Sequence, residues 1–262
     1  MTEEHGQEYD DAMVTLLEAV WGEGYLSPGG PDEVRKIVDG VDFTGKRVLD
    51  IGCGTGGVGL FLTEQYAPAS FTGVDVDSGL IARADADAKA RGLEDKTTFL
   101  CVEPGPLPLD ADAFDVVFSK DAMIHIAEKE SLFQEVFRVL APGGLVAACD
   151  WMSSTDGPFS EEMKTYIALE DLGFGMASPD RYEAAMAAAG FEDIRMTDRN
   201  PWYKEQVTHE YDALSGPLYE GLVDQVGREF VDHSVDIWRA LKIVVDSGEL
   251  RPTHMRAHKP AA

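Results

Sequence analysis

Apolar residues recur along this chain with two periods, one typical of helices and the other typical of buried strands. Between residues 8 and 21, apolar residues such as Met13 and Leu17 have helical spacing. A loop rich in Gly and Pro follows, and a short helix is predicted to begin at about Asp32.

Five short apolar runs then alternate with helical segments. They read RVLDIG, SFTGVDVD, TTFLCVE, FDVVFSKD and LVAACDW, and each of them predicts a strand. Helices are predicted between them at residues 57–65, 78–92 and 127–139, with Ser78 as the cap of the second and APGG as the end of the third. Strands that alternate with helices of about 10 to 15 residues are typical of a parallel sheet with helices on both faces. The pattern therefore predicts a doubly wound α/β fold.

Beyond Trp151 the pattern becomes mainly helical. Helices are predicted at residues 159–172, 179–189, 209–224 and about 227–245. The last apolar segment, THMRAHK, is predicted to return to the sheet as an edge strand.

The charge of the chain restricts its partners. Asp and Glu number 48 against 22 Lys and Arg, a formal net charge of −26. Nucleic acid and anionic membrane surfaces would be repelled by such a protein, so we expect neither as a partner. Acidity spread along the whole chain also suggests a saline habitat, since salt screens the repulsion between like charges. A melting temperature that falls as salt is added would count against that hypothesis.

The apolar runs, the first residues and the spacing of the cysteines predict the location and redox state of the protein. Apolar runs stay below the roughly 18 residues that a membrane helix needs, and the first residues, MTEEHGQEYDD, are acidic where a secretory signal is basic. We therefore expect a cytoplasmic protein. Cys53, Cys101 and Cys149 form no metal-like pair, so we expect buried, reduced thiols and no metal site.

The segment VLDIGCGTGGVG, residues 48–59, joins the first predicted strand to the helix after it. In α/β folds such glycines let the main chain approach a nucleotide ligand at the carboxyl ends of the strands, although they also serve tight turns and helix packing. Asp75 and Glu103 end the next two strands, where a ribose and an adenine would lie. Residues 50–64 contain neither Lys nor Arg, which disfavours the pyrophosphate of a nicotinamide dinucleotide and favours a ligand with an ammonium and a sulfonium. S-adenosylmethionine has both.

Four ordered motifs, VLDIGCGTG, GVDVD, FDVVFSKDAMIHI and LAPGGLVAACD, make roughly residues 45–150 resemble the class I S-adenosylmethionine-dependent methyltransferases. The resemblance implies a Rossmann-like fold with a mostly parallel seven-stranded sheet, an N-terminal lid helix and a helical substrate cap. The implied divisions are a lid helix and loop at 1–40, a cofactor-binding core at 41–151, and a substrate-binding region with the final strands at 152–262. The cofactor contacts that it implies are Asp50, Gly52, Gly54, Asp75, Val76, Glu103, Pro104 and Ser119.

The acid–base candidates lie after the fourth strand. In SKDAMIHI, Asp121 and His125 are four residues apart and share one face if the turn is helical. His125 is a candidate base for an amine that must lose its proton before methylation, with Asp121 orienting it. The alternative is a helix-capping aspartate beside a partly buried histidine.

This turn and the segment EYDDAMVTLLEAVWGEGYLSPGG together resemble the phosphoethanolamine N-methyltransferases. The resemblance implies that Tyr9 closes over the substrate and bonds to Asp121 and His125. It also implies that the loop residues Tyr25, Leu26 and Ser27 contact the methionine end of the cofactor.

The chain departs from that subfamily where a phosphate would bind. Trp151 follows the fifth strand's aspartate in place of a tyrosine, and YIALEDLGFGM carries Glu170 and Asp171 where the family has a cation. Carboxylates repel phosphate. The substrate is thus left open between a phosphobase and a small amino-acid-like amine, on the way to choline or betaine-type products. Its candidate contacts are Trp151, Tyr166, Arg181 and Lys242.

Aromatic faces offer a second means of recognising the amine. Tyr9, Trp151, Trp202 and Tyr203 are candidates to bind a partly methylated ammonium, although aromatic residues more often form core. Other acceptor atoms (oxygen, sulfur or carbon) and a non-catalytic cofactor-binding module remain as alternatives. We expect a small-molecule amine as partner and a monomer or weak dimer.

Overall fold

A seven-stranded sheet forms the centre of the protein, whose structure is a computed structural model that describes residues 9–261. Residues 1–8 of the predicted lid segment lie outside the described residues. The strands are β1 (Arg47–Ile51), β2 (Ser70–Asp75), β3 (Thr97–Cys101), β4 (Phe114–Lys120), β5 (Leu140–Ser153), β6 (Glu192–Asp198) and β7 (Leu250–His258).

The strand order is β3-β2-β1-β4-β5-β7-β6. Strands β1 to β5 pair in parallel, with Asp50 beside Gly73 and Ser119 beside Ala148, while β7 is antiparallel to both β5 and β6. The chain runs outward from β1 to β3 and then returns to the other side of β1 as β4. Ligands bind at such a reversal, beyond the carboxyl ends of the strands. The predicted fold class, a doubly wound and mostly parallel seven-stranded sheet, is confirmed.

Helices connect the strands and cover them. They are α1 (Asp11–Trp21), α2 (Gly30–Ile37), α3 (Gly57–Tyr66), α4 (Ser78–Ala90), α5 (Lys129–Val139), α6 (Glu161–Glu170), α7 (Pro179–Ala189), α8 (Asn200–Leu214), α9 (Tyr219–Val226) and α10 (Arg228–Ser247), with a 3₁₀ turn at Met123–His125.

Alternate residues of the central strands enter two different cores. Val48 belongs to the apolar cluster formed with α2, α3 and α4, and its neighbour Leu49 belongs to the cluster formed with α5 and α7. Because successive side chains of a strand point to opposite faces, the sheet is buried on both sides. A third cluster joins α1, α6, α8 and α10, and it contains Leu16, Tyr203 and Trp238.

The structure corrects several predicted elements in the second half. The segment EDIRMTD forms the edge strand β6, which was missed, and β7 lies between β5 and β6, so its prediction as an edge strand is wrong. The helix predicted at 209–224 is two helices, α8 and α9, interrupted at Gly216 and Pro217. Proline lacks the N–H group that a continuing helix requires.

Two smaller corrections concern helix ends. Asp77, not Ser78, caps α4, because its carboxylate accepts hydrogen bonds from the N–H groups of Gly79 and Leu80. Helix α5 ends at Val139, so APGG lies within the irregular start of β5.

Two bulk expectations can be compared with the described residues. Among residues 9–261, no helix has the length and apolarity needed to cross a membrane. Cys53 and Cys149 are buried as expected, whereas Cys101 at the end of β3 is exposed, contrary to the prediction.

Candidate active site

The glycine loop between β1 and α3 contacts the turn that carries the acid–base candidates. Gly52 has φ +74°, and a Cβ added to it would lie 2.1 Å from the Cβ of Ala122. A Cβ at Gly54, whose φ is +52°, would lie 3.2 Å from the Leu26 side chain. Both conformations favour glycine. Packing therefore accounts for the absence of a side chain at Gly52, as the alternative interpretation of these glycines allowed.

Asp75, at the end of β2, braces this loop. Its Oδ2 accepts a hydrogen bond of 2.9 Å from the N–H of Gly54, and its Oδ1 accepts one of 3.0 Å from the N–H of Asp77. Each carboxylate oxygen has a second acceptor site, so ribose hydroxyls can still be bound. Val76 beside it is 58% exposed, which is unusual for an apolar residue next to a buried strand and suits contact with a flat ring.

Asp50 is a second acid at this edge of the sheet. It is buried at the end of β1, and its Oδ1 has no hydrogen-bond partner among the described residues. Burial, followed by the charge of Asp75, raises the pKa of this carboxyl to about 8. An unpartnered buried carboxyl is costly, and a cationic ligand would relieve that cost. Asp50, Asp75 and Val76 together fit the charge and shape of S-adenosylmethionine.

The remaining cofactor candidates are placed unevenly. Glu103 and Pro104 are exposed just beyond β3. Tyr25 is buried in the α2–α4 core, which raises its pKa to about 12. Ser119 is completely buried, and its hydroxyl donates 2.7 Å to the Ile51 carbonyl between β4 and β1. This position argues against the predicted contact of the Ser119 side chain with the cofactor.

Asp121 lies in a strained conformation immediately after β4. Its φ of +57° is left-handed, and its N–H donates 2.9 Å to the Cys149 carbonyl. Such strain in a residue other than glycine clusters at functional sites. The Nζ of Lys120 donates to Asp121 Oδ2 at 2.7 Å and to Ser27 Oγ at 2.6 Å, thereby joining the N-terminal loop to this turn.

One oxygen of Asp121 remains available. Its Oδ1 is buried, and none of the described residues hydrogen-bonds to it. Asp121 lines a cavity of about 90 Å³, and the same cavity is lined by Tyr9 and His125. The structure therefore brings the three predicted catalytic residues together around one small space.

The walls of this cavity are aromatic and acidic. Leu26 and Ser27 of the N-terminal loop reach it, as does Glu170 at the end of α6. Burial raises the pKa of the Glu170 carboxyl, and a hydrogen bond from Tyr166 acts in the opposite direction. The aromatic lining residues are Tyr9, Trp21, Trp151, Tyr166, Phe174, Tyr203 and Trp238.

Three other substrate candidates lie away from the cavity. Arg181 pairs with Glu130 at 3.2 Å, on the outside of α7. Lys242 donates 2.7 Å to Thr208 Oγ1, and Trp202 has Lys36 and Arg199 against its ring at 5.5 and 5.0 Å from its centroid. Their predicted substrate contacts are therefore not supported by the geometry. Within residues 9–261, the cavity lining includes neither Lys nor Arg.

Comparison with known proteins identifies a family whose sequences resemble part of this chain. Residues 48–144 match the family model described as a methyltransferase domain. The chain carries a methyltransferase domain. The resemblance to S-adenosylmethionine-dependent methyltransferases, and with it the predicted cofactor, is confirmed at the level of this domain.

Individual relatives extend the similarity beyond that domain. A phosphoethanolamine N-methyltransferase of Triticum aestivum is 30% identical over 245 residues, covering 93% of this chain and 47% of the relative. Haemonchus contortus phosphoethanolamine N-methyltransferase 2, solved with S-adenosyl-L-methionine, has a TM-score of 0.86 and 25% identity, covering 97% of this chain and 58% of that one. A Galdieria sulphuraria protein, assigned as a sarcosine dimethylglycine methyltransferase, shares the fold over 96% of this chain and 99% of its own, with a TM-score of 0.80 and 22% identity. The chain spans about half the length of the plant relatives that it matches.

Two residues of the cavity wall were missed in the sequence-based predictions. Trp21 ends α1, and Trp238 lies in the middle of α10. Each has helical spacing with apolar neighbours, which is typical of a core residue. Only the packing of α1 against α10 places both rings, with centroids 5.6 Å apart, in the cavity wall.

Proposed function

We propose that this protein is an S-adenosylmethionine-dependent N-methyltransferase of a small amine. The observation that carries the proposal is the buried, unpartnered Oδ1 of Asp121 in the wall of a cavity that His125 and Tyr9 also line. A carboxylate oxygen without a donor suits the N–H group of an amine. Through Ala122, the turn that carries this acid packs against the glycine loop of the cofactor cleft, so donor and acceptor sites adjoin.

Each residue has a distinct part in the proposed reaction. The cofactor, when bound, supplies a methyl group on a sulfonium; Asp50, Asp75 and the Gly52–Gly54 loop would hold it, with Val76 against its adenine and Glu103 at the edge of that ring. Asp121 holds the amine, and His125 accepts the proton that an ammonium must lose to expose its lone pair. Tyr9 closes the cavity. Such a displacement requires alignment and proximity above all, and a small cavity lined by Asp121, His125 and Tyr9 favours both.

The charge of the cavity favours an amine without a phosphate. Asp121 and Glu170 line it, and its described lining contains no Lys or Arg that would compensate a phosphate. Lys120 is engaged by Asp121 and Ser27 behind the wall. Phosphoethanolamine is the second candidate acceptor, because the relatives described above are phosphoethanolamine N-methyltransferases.

The test is a labelled-methyl screen with the full chain. Ethanolamine, phosphoethanolamine, glycine and their partly methylated forms are incubated with isotopically labelled cofactor, and the mass and methyl position of each product are determined. We expect transfer to nitrogen, with a higher kcat/KM for phosphate-free amines. Preference for phosphoethanolamine would reject the phosphate-free acceptor, and a new methyl on oxygen, sulfur or carbon would reject N-methylation.

Variants then test the roles of the residues. Asp121→Asn and His125→Ala should each abolish most turnover while binding of S-adenosylhomocysteine persists. His209→Ala is the matched control, because His209 is exposed on α8 and lies outside the cavity lining. Wild-type turnover in both site variants would contradict the assignment.

A further inference from the structure

Four aromatic rings of the cavity wall occur as two contacting pairs. The centroids of Trp21 and Trp238 lie 5.6 Å apart, and those of Trp151 and Tyr203 lie 4.7 Å apart with an edge-to-face angle of 78°. All four residues line the cavity that contains Asp121. Contacting rings of this kind hold one another in place, so the wall is preorganised.

One buried acid connects the two pairs from behind. The Oε2 atom of Glu210 accepts hydrogen bonds from the Tyr203 hydroxyl at 3.0 Å and from Trp238 Nε1 at 3.2 Å. Its Oε1 accepts one of 3.1 Å from Gln206. Glu210 is only 3% exposed and does not line the cavity. It therefore acts on the rings, and only through them on a ligand.

This arrangement has an electrostatic consequence for the ring faces. A carboxylate that accepts from a phenol and from an indole N–H places negative charge at their edges, and the faces of these rings already attract cations. Burial is the largest effect and leaves the pKa of the Glu210 carboxyl raised overall, although the hydrogen bonds from Gln206, Trp238 and Tyr203 lower it. Three donors directed at one carboxyl match the acceptor capacity of its ionised form.

Such a wall should bind a methylated ammonium more strongly than a primary ammonium. Each methyl removes an N–H donor and spreads the charge over an apolar surface, so a carboxylate such as Asp121 loses hydrogen bonds to it and an aromatic face gains contact. The cavity of about 90 Å³ is small, which suits a compact head group.

We propose that Trp21, Trp151, Tyr203 and Trp238 form an aromatic cage, with Glu210 as its positioning residue, that selects an already methylated amine as acceptor. That the bound amine is the methyl acceptor rests on the proposed function, whereas the binding of a methylated ammonium by the cage does not. The product of the last transfer would be a quaternary ammonium compound.

Binding without turnover tests the cage independently of the reaction. Choline and its neutral isostere 3,3-dimethylbutan-1-ol are titrated into the full chain with S-adenosylhomocysteine present, by isothermal calorimetry. We expect choline to bind at least about tenfold more tightly. Equal affinities, or no choline binding, would overturn the cage.

Substitutions test the role of Glu210. Glu210→Gln retains the shape of the side chain and should weaken choline binding about fivefold or more, while affinity for the neutral isostere changes less than twofold. Glu205→Gln, on the exposed side of the same helix, is the matched control. Because Glu210 is buried and its substitution also perturbs the packing around it, the wild-type chain is additionally prepared with fluorinated tryptophans, which weaken cation binding by the rings with little change in shape. A stepwise loss of choline affinity with fluorine content supports the cage, and an unchanged affinity refutes it.

Turnover separates this inference from the proposed function. With the cage intact, KM for a dimethylated amine should be at least about fivefold lower than KM for its primary counterpart, and Glu210→Gln should remove that difference while kcat changes little. Choline binding without methylation of any amine would leave the cage standing and reject the proposed function. Methylation with no preference for methylated amines would reject the selection and retain the proposed function.

Discussion

Gly52→Ala tests the contact between the glycine loop and the turn of Asp121 and His125. A Cβ at this position would lie 2.1 Å from the Cβ of Ala122, far inside van der Waals contact, and φ is +74°. The left-handed conformation costs a non-glycine residue about 1–2 kcal/mol. Relief of the overlap adds about 1–3 kcal/mol, as for an overpacked core. We therefore expect a loss of about 2–5 kcal/mol in the free energy of unfolding.

Gly40→Ala provides the control. Gly40 has the same φ of +74°, and a Cβ added there would meet nothing within 4 Å. Its substitution should therefore cost the conformational part alone, and the difference between the two variants measures the overlap. Urea unfolding of both variants, and of the double variant Gly52→Ala with Ala122→Gly, gives these values.

The same variants report on the site. Since Ala122 follows Asp121, its displacement by Gly52→Ala should lower kcat at least tenfold, and the added Ala122→Gly should restore part of that loss. If Gly52→Ala cost no more stability than Gly40→Ala, and Ala122→Gly rescued neither property, the loop would be free of the turn. The glycine would then serve only the ligand.

Three further predictions concern charged residues. The pKa of Asp50 is about 8 without ligand, so the carboxyl becomes ionised as pH increases from 6 towards about 8. Affinity for S-adenosylhomocysteine, measured by calorimetry, should rise over the same interval because its ammonium favours the ionised form. A pH-independent affinity, or a dependence retained in Asp50→Asn, would contradict this. Lys120→Met leaves the buried Asp121 carboxylate uncompensated and should lower the free energy of unfolding by urea by about 3–5 kcal/mol. Lys120→Arg retains the charge and should lose less than half as much, so equal losses would argue against the ion pair. Glu33 has a pKa lowered to about 2 by its bonds to His254 and Arg199, against the opposing effect of burial. Its contribution to stability is therefore complete above about pH 4.5 and is lost as pH falls towards about 2, so Glu33→Gln should flatten the melting temperature over that interval, and an unchanged acid limb would refute the assignment.

Local patterns predicted the parallel half of the fold well because each signal there is short-range. The run before Asp50 alternates between the two cores through Val48 and Leu49, and glycines mark the turn after it. The β6 strand was missed because its mostly exposed residues carry little apolar alternation. The position of β7 between β5 and β6 depends on pairing between distant segments, for which the sequence contains no local signal.

Short-range signals in the chain were enough to predict the candidate cofactor residues of β1 and β2. Asp50 and Asp75 lie at the carboxyl ends of two parallel strands, and such ends meet at one edge of a sheet, so their proximity follows from local pattern alone. The candidate acceptor cavity, by contrast, depends on contacts between distant segments. Trp21, Tyr203 and Trp238 come from helices distant along the chain, and each has the spacing of an ordinary core residue. Only helix packing turns them towards one cavity and brings Glu210 behind them, while it leaves Arg181 and Lys242 outside, because side-chain direction depends on how the helices pack and not on the helical period.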